Sequence, residues 1–187
     1  MRSIRRTVAA AALAGGIALT GLAQTAQAES GSAHGALAAY QGRTIDLAKG
    51  WQGAEACAVF AADDIRCYAT TAAADKATGY RASTDPLRQN ARAGAASIPA
   101  CANGWVCLYQ YSHGGGRRMI FNDDYWDDLD NYGFDNRTSS WRNNQKKGDR
   151  AWLAQYRGGK GTQINLSAPG YAATLGSFDN KASSVQG

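Results

Sequence analysis

From residue 101 onward, short apolar runs alternate with Gly and Asn/Asp clusters, the pattern of β-strands joined by tight turns. Trp105 to Tyr111 and Arg118 to Phe121 read as two strands across Gly114-Gly115-Gly116, and Trp152 to Tyr156 and Thr162 to Leu166 repeat the arrangement across Gly158-Gly159. Upstream, strands are predicted at Thr44 to Leu47, Ala56 to Phe60 and Ile65 to Ala69, with Asp63-Asp64 turning the last two into a hairpin. Cys57 and Cys67 then face each other across that ladder. The alanine-rich stretch Thr71 to Thr78 predicts a short helix ended by Gly79. Residues 81–97, rich in Ala, Arg, Ser and Gly with little apolar patterning, read as a linker. The fold class is mainly β: a small disulfide-linked hairpin and helix module over 43–80, then a larger β domain over 98–187.

The N-terminus follows a different pattern. Arg2, Arg5 and Arg6 precede a small-residue apolar run from Val8 to Leu22 and then Ala26-Gln27-Ala28, the layout of a secretory signal peptide over 1–28. A membrane span needs roughly 18 strongly apolar residues, more than this run supplies. Residues 29–42, Ser/Gly/Ala-rich and aperiodic, read as a disordered leader. Signal removal takes three of the 20 basic residues and none of the 15 acidic ones, so the formal charge falls from +5 to +2. The apparent basicity is therefore mostly an export signal, and neither a nucleic acid nor a membrane is an expected partner. A monomer is the expected state.

Four cysteines in an exported chain allow three pairings. The local ones, Cys57 with Cys67 and Cys101 with Cys107, are favoured because each brackets a short turn-like segment. No CxxC spacing or His pair supports zinc. Enzyme chemistry is poorly provided for: the only histidines are His34 and His113, and no G-x-S-x-G elbow accompanies His113-Gly114-Gly115-Gly116. Aspartates are plentiful, but small size and the lack of a second large domain argue against a two-carboxylate glycosidase. The run Asp123, Asp124, Asp127, Asp128 and Asp130 reads as a solvated loop, since Tyr125 and Trp126 interrupt it and its spacing does not recur.

Laid on itself at an offset of 44 residues, the larger domain places Phe134-Asp135-Asn136 on Phe178-Asp179-Asn180 and Ser139-Ser140 on Ser183-Ser184. Two units, about 101–143 and 149–187, each too small to bury its own face, account for this period. The hexapeptides Asp135-Asn136-Arg137-Thr138-Ser139-Ser140 and Asp179-Asn180-Lys181-Ala182-Ser183-Ser184 resemble the calcium loops of microbial βγ-crystallins. Calcium, a hard cation, takes six to eight oxygens, which short Asp, Asn and Ser side chains and loop carbonyls can supply. The resemblance implies a double Greek-key sandwich with cross-braced Ca2+ sites. Their ligands would be the side chains of Asp135, Asn136, Ser139, Asp179, Asn180 and Ser183, with the carbonyls of Arg137 and Lys181. With one carboxylate per loop, affinity is expected at about 10⁻⁵ to 10⁻³ M. As ordinary turn chemistry, the same residues would cap backbone amides without any metal.

Cys101-Ala102-Asn103-Gly104-Trp105-Val106-Cys107, with Gly115-Gly116-Arg117-Arg118 and Tyr132-Gly133-Phe134 through Trp141, resembles the secreted metalloproteinase inhibitors of streptomycetes. Over roughly 100–187, that resemblance implies a non-enzymatic inhibitor whose partner is an extracellular thermolysin-like zinc protease. No cysteine follows Cys107, whereas the archetypal inhibitor presents its reactive bond in a second short disulfide loop, so no reactive bond is assigned. Two other expectations compete: a calcium-stabilised structural module, and a glycan binder like the Greek-key killer toxins, using Trp126, Trp141, Trp152 or Tyr156.

Overall fold

The computed structural model describes residues 35–90 and 98–187, so the expected signal peptide, residues 29–34 of the expected leader and residues 91–97 of the expected linker lie outside the described residues. Four strands come first: Leu37–Tyr40 (β1), Arg43–Asp46 (β2), Ala56–Ala61 (β3) and Asp64–Tyr68 (β4), followed by helices Thr71–Ala77 (α1) and Pro86–Gln89 (α2). One four-strand unit comprises Val106–Tyr111 (β5), Gly115–Phe121 (β6), Trp126–Asp128 (β7) and Ser140–Asn143 (β8). The second comprises Arg150–Tyr156 (β9), Lys160–Ser167 (β10), Gly170–Ala172 (β11) and Ser184–Gln186 (β12). No helix among the described residues is long and apolar enough to cross a membrane.

The strands form two sheets, ordered β11-β8-β5-β6-β3-β4-β1-β2 and β10-β9-β12-β7. Each unit keeps three strands in its own sheet and sends its third to the other: β7 pairs with β12, and β11 with β8. This exchange is the double Greek-key sandwich of the βγ-crystallin type. Because each sheet is completed by a strand from the other unit, neither unit can close its sheet alone.

The first sheet extends past the sandwich. β3 runs parallel to β6, with Cys57 opposite Met119, and with β4, β1 and β2 adds four further strands. This central position explains why Ala56 to Val59 is apolar without alternation: both faces are covered. Cys57, Val59, Leu108, Met119 and Phe121 point into the inter-sheet core with Trp51, Phe134, Leu153 and Val185. Ala56, Ala58, Cys107, Tyr109 and Ile120 face the opposite side, where Ala74 of α1, Cys101 and Trp105 cover them. Both expected disulfides, Cys57–Cys67 and Cys101–Cys107, are present.

Two arginines hold these layers together. Arg118 on β6, 2% exposed, donates to Asp75 of α1 at 2.7 Å, to the Thr71 carbonyl at 2.8 Å and to the Ala100 carbonyl at 2.7 Å. Arg142 on β8 is fully buried and meets the equally buried Asp85 at 2.7 Å. It also donates to the carbonyls of Asn143 and Gly170. Asp85 is in addition the N-cap of α2, accepting from the Leu87 and Arg88 amides, and accepts from the Tyr80 hydroxyl.

Three expectations meet a different structure. Leu37–Tyr40, placed in the leader, is β1, turned into β2 through Gln41 and Gly42, both at positive φ as a two-residue hairpin requires. Residues 81–97, read as a linker, contain a 3-10 turn at Ala82–Thr84 and α2, packed through Asp85. The 43–80 hairpin does not stand apart from the larger domain but shares its sheet, because the edge of β3 pairs in parallel with β6.

Removing one partner of a buried pair leaves the other charge uncompensated, at a cost of about 3–5 kcal/mol. Asp85→Ala should therefore lower the thermal midpoint severely. Asp64→Ala, which breaks an exposed pair with Arg66, should change stability by about 1 kcal/mol or less. Thermal melts of both variants against the parent protein check this.

Candidate functional site

The 3-10 corners following β5 and β9 are built alike. Tyr111 and Tyr156 each close a strand, and five residues on stand Gly116 and Gly161 at positive φ. A Cβ at either glycine would sit within 2.7 Å of the tyrosine ring, so the ring can lie over the folded hairpin only if the residue is glycine. Ser140 and Ser184 latch these corners. Ser140 Oγ donates to the Tyr111 carbonyl at 2.6 Å and accepts from the Gly114 amide at 3.0 Å; Ser184 does the same with Tyr156 at 2.7 Å and Gly159 at 3.0 Å. Both hydroxyls are fully buried, so the second serine of each hexapeptide is committed to the scaffold.

With the latches in place, the two hexapeptide loops lie against each other. The Asn136 amide donates to the Ala182 carbonyl at 2.9 Å, and the Asn180 amide to the Thr138 carbonyl at 3.0 Å. Asn136 and Asn180 occupy the left-handed region at φ 52° and 53°, which asparagine tolerates better than other non-glycine residues. Each turns its side-chain amide back onto its own neighbour, Asn136 onto Asp135 at 2.8 Å and Asn180 onto Asp179 at 3.0 Å. Ser139 Oγ reaches across to Asn180 Oδ1 at 3.4 Å. Ser139 is buried, Asp135 and Ser183 are half-buried, and Asn136, Arg137, Asp179, Asn180 and Lys181 are exposed.

Oxygen from carboxylate, amide and hydroxyl is thus gathered where the loops meet, a donor set suited to a hard cation. It is thin in charge, with one carboxylate in each loop. Among the described residues, no group of three or more His, Cys, Asp or Glu side chains is arranged to hold a metal ion.

The acidic run is spent on structure. Asp128 accepts from the Gly158 amide at 2.7 Å and pairs with Arg157, which also reaches Asp130 at 3.2 Å. The β7 strand lent by the first unit therefore braces the corner of the second. The equivalent brace on the first corner is made by backbone, His113 N–H to the Ala173 carbonyl at 2.8 Å. Asp127 accepts from the Tyr132 hydroxyl and lies beside Asp123, and one oxygen of each acid is buried without a hydrogen-bond partner. Burial, followed by the Asp127 charge, pushes the Asp123 carboxyl up to about 7; burial raises Asp127 as well.

Residues 94–160 match peptidase inhibitor family I36. The match to family I36 spans the Cys101–Cys107 staple and the strands from β5 into β9, and upholds the inhibitor resemblance read from the same residues. No curated protein matches the chain. Among solved structures, a βγ-crystallin from Ciona intestinalis is similar at 24% identity and a TM-score of 0.38, covering 44% of this chain and 98% of its own. Spherulin 3a from Physarum polycephalum is similar at 17% identity and 0.37, covering 51% and 88%. An archaeal βγ-crystallin gives 22% and 0.35, covering 44% and 94%.

Proton uptake by the Asp123 and Asp127 pair sets a pH dependence. An ordinary Asp in the unfolded chain ionises near pH 4, so between about 4 and 7 the native state holds a proton that the unfolded state has lost. This group's contribution to stability should fall as pH rises through that window and level off above it. Thermal midpoints measured from pH 4.5 to 8 should decline less steeply for Asp123→Asn than for the parent.

Proposed function

We propose that this protein is a secreted, non-enzymatic inhibitor of an extracellular zinc metallopeptidase of the thermolysin kind, with calcium at the paired loops stabilising its fold. The observation that carries the reading is the match to peptidase inhibitor family I36 over residues 94–160, which lies on a rigidly braced Greek key. Inhibition of this type needs a surface held in its bound shape before association, because ordering loops on contact costs affinity. The Cys101–Cys107 staple, the serine latches and the buried Arg142 provide that rigidity.

Titration of the mature, disulfide-intact protein into a thermolysin-like peptidase tests the inhibitor reading. Activity should fall linearly to an endpoint near one equivalent, while a serine peptidase control is unaffected. Undiminished activity at several equivalents would exclude it.

The calcium part is favoured by the reciprocal amide bonds from Asn136 to Ala182 and from Asn180 to Thr138, which hold both Asx pairs at one place. Each ion would draw on an Asp and Asn pair, a loop carbonyl at Arg137 or Lys181, and Ser139 or Ser183. An ion binding only the native state raises stability in proportion to the logarithm of its concentration above Kd. Chelator-stripped protein should gain thermal stability on addition of millimolar calcium but not magnesium, and Asp135→Ala with Asp179→Ala should abolish the gain. A protein stabilised by calcium yet inert towards metallopeptidases would instead be a calcium-stabilised module. The glycan-binding alternative is weakened by the burial of Trp141 and by the packing of Trp126 beneath Gly159.

A further inference from the structure

Beside the first hexapeptide loop, the turn after β2 and the start of β6 enclose a pocket of about 320 Å³, lined in part by Lys49, Gly50, Arg117, Gly133, Asp135 and Arg137. Three of these side chains are cationic. Lys49 is engaged with Asp46 at 3.1 Å. Arg117 lies with its guanidinium 4.9 Å from the centre of the Trp51 ring, and its Nε donates to Gln110 Oε1 at 3.1 Å. Neither Arg117 nor Arg137 makes an ion pair among the described residues, whereas Arg66, Arg118, Arg142 and Arg157 all do.

Arg117 is held there at a cost. It is half-buried, and burial followed by the charge of Arg137 makes its protonated form less favourable than usual. A stacked guanidinium lining a pocket together with a second arginine that has no carboxylate partner offers the planar N–H donors that bind tetrahedral oxyanions. The pocket is at the small end of ligand sites, large enough for one such group and too small for an extended ligand.

We infer that Arg117 and Arg137, supported by Lys49, form a binding site for a compact multivalent oxyanion, a phosphate or sulfate group. Trp51 fixes the Arg117 plane, and its own indole N–H is anchored to the Tyr132 carbonyl at 2.7 Å, so the platform is rigid before the anion arrives. Asp135 lines the same pocket and opposes an anion by its charge. Neutralising that carboxylate should therefore strengthen binding, an effect in the opposite direction to damage to the fold. This site is independent of peptidase inhibition, since it requires neither a protease nor calcium.

The test is an NMR titration of the full mature protein with inorganic phosphate and, separately, sulfate, at constant ionic strength kept with chloride and without added calcium. The Arg117 Nε–H and Trp51 indole N–H signals should move saturably to one equivalent. Arg117→Gln and Arg137→Gln should each weaken binding by about tenfold or more, the loss expected for charge-assisted hydrogen bonds. Asp135→Asn should tighten it. Thermal melts of the three variants confirm that they remain folded. Shifts that do not saturate, binding unchanged in both glutamine variants, or weaker binding in Asp135→Asn would overturn the assignment.

Discussion

A buried guanidinium must be neutralised where it sits, and two of them govern this molecule. Arg118 and Arg142 lie on β6 and β8 of the first Greek key, each buried, and their carboxylate partners Asp75 and Asp85 come from the segment that precedes the domain. An unpaired charge at either place costs several kcal/mol, comparable with much of a small domain's net stability. The crystallin-like sandwich therefore depends on α1 and on the Asp85 cap being docked. Those elements depend in turn on β3 pairing with β6, since nothing else positions α1 over the outer face of the sheet.

The same logic extends to the loops. Exchange of β7 and β11 obliges the two units to fold together, and Ser140 and Ser184 fix the corners over which the hexapeptides pass. The loops then meet through reciprocal amide bonds between their backbones. On the proposed reading as an inhibitor, this bracing bears on how the surface is held. The second unit has no disulfide, yet it is held by strand exchange, by the Ser184 latch and by Asp128 reaching onto the Gly158 corner. Rigidity in the second unit is spread over hydrogen bonds and packing rather than a covalent staple.

The repeat, the glycine corners and the disulfides were legible in the sequence because each leaves a local signature: a 44-residue period, glycine runs between paired strands, and cysteines bracketing turns. The three-residue strands β7, β11 and β12 were not, since so short a run has no alternation to read, and each pairs with a strand of the far unit. Fusion of the first hairpin to the domain was likewise hidden. The pairs that enforce it are separated by 43 residues for Asp75 and Arg118 and by 57 for Asp85 and Arg142, and nothing in either local pattern announces the other. One signal was available and passed over: Asp85 followed by Pro86 is a helix N-cap with proline at the first position, which marks α2 inside the stretch read as a linker. The chemistry of the candidate site was partly legible. Asp135, Asn136 and Ser139 stand out by duplication, but the division of labour between the two serines emerges only from the fold.

Native-state hydrogen exchange across a denaturant series tests most directly whether residues 35–90 and 98–187 form one cooperative structure. Core amides of β3 and β4 and those of β5, β9 and β12 should converge on a single opening free energy, because docking of the first segment and burial of Arg118 and Arg142 are the same event. Opening of β3 and β4 at markedly lower free energy, with the Greek-key strands still protected, would mean that the sandwich stands without the segment that neutralises its arginines, and would contradict the account.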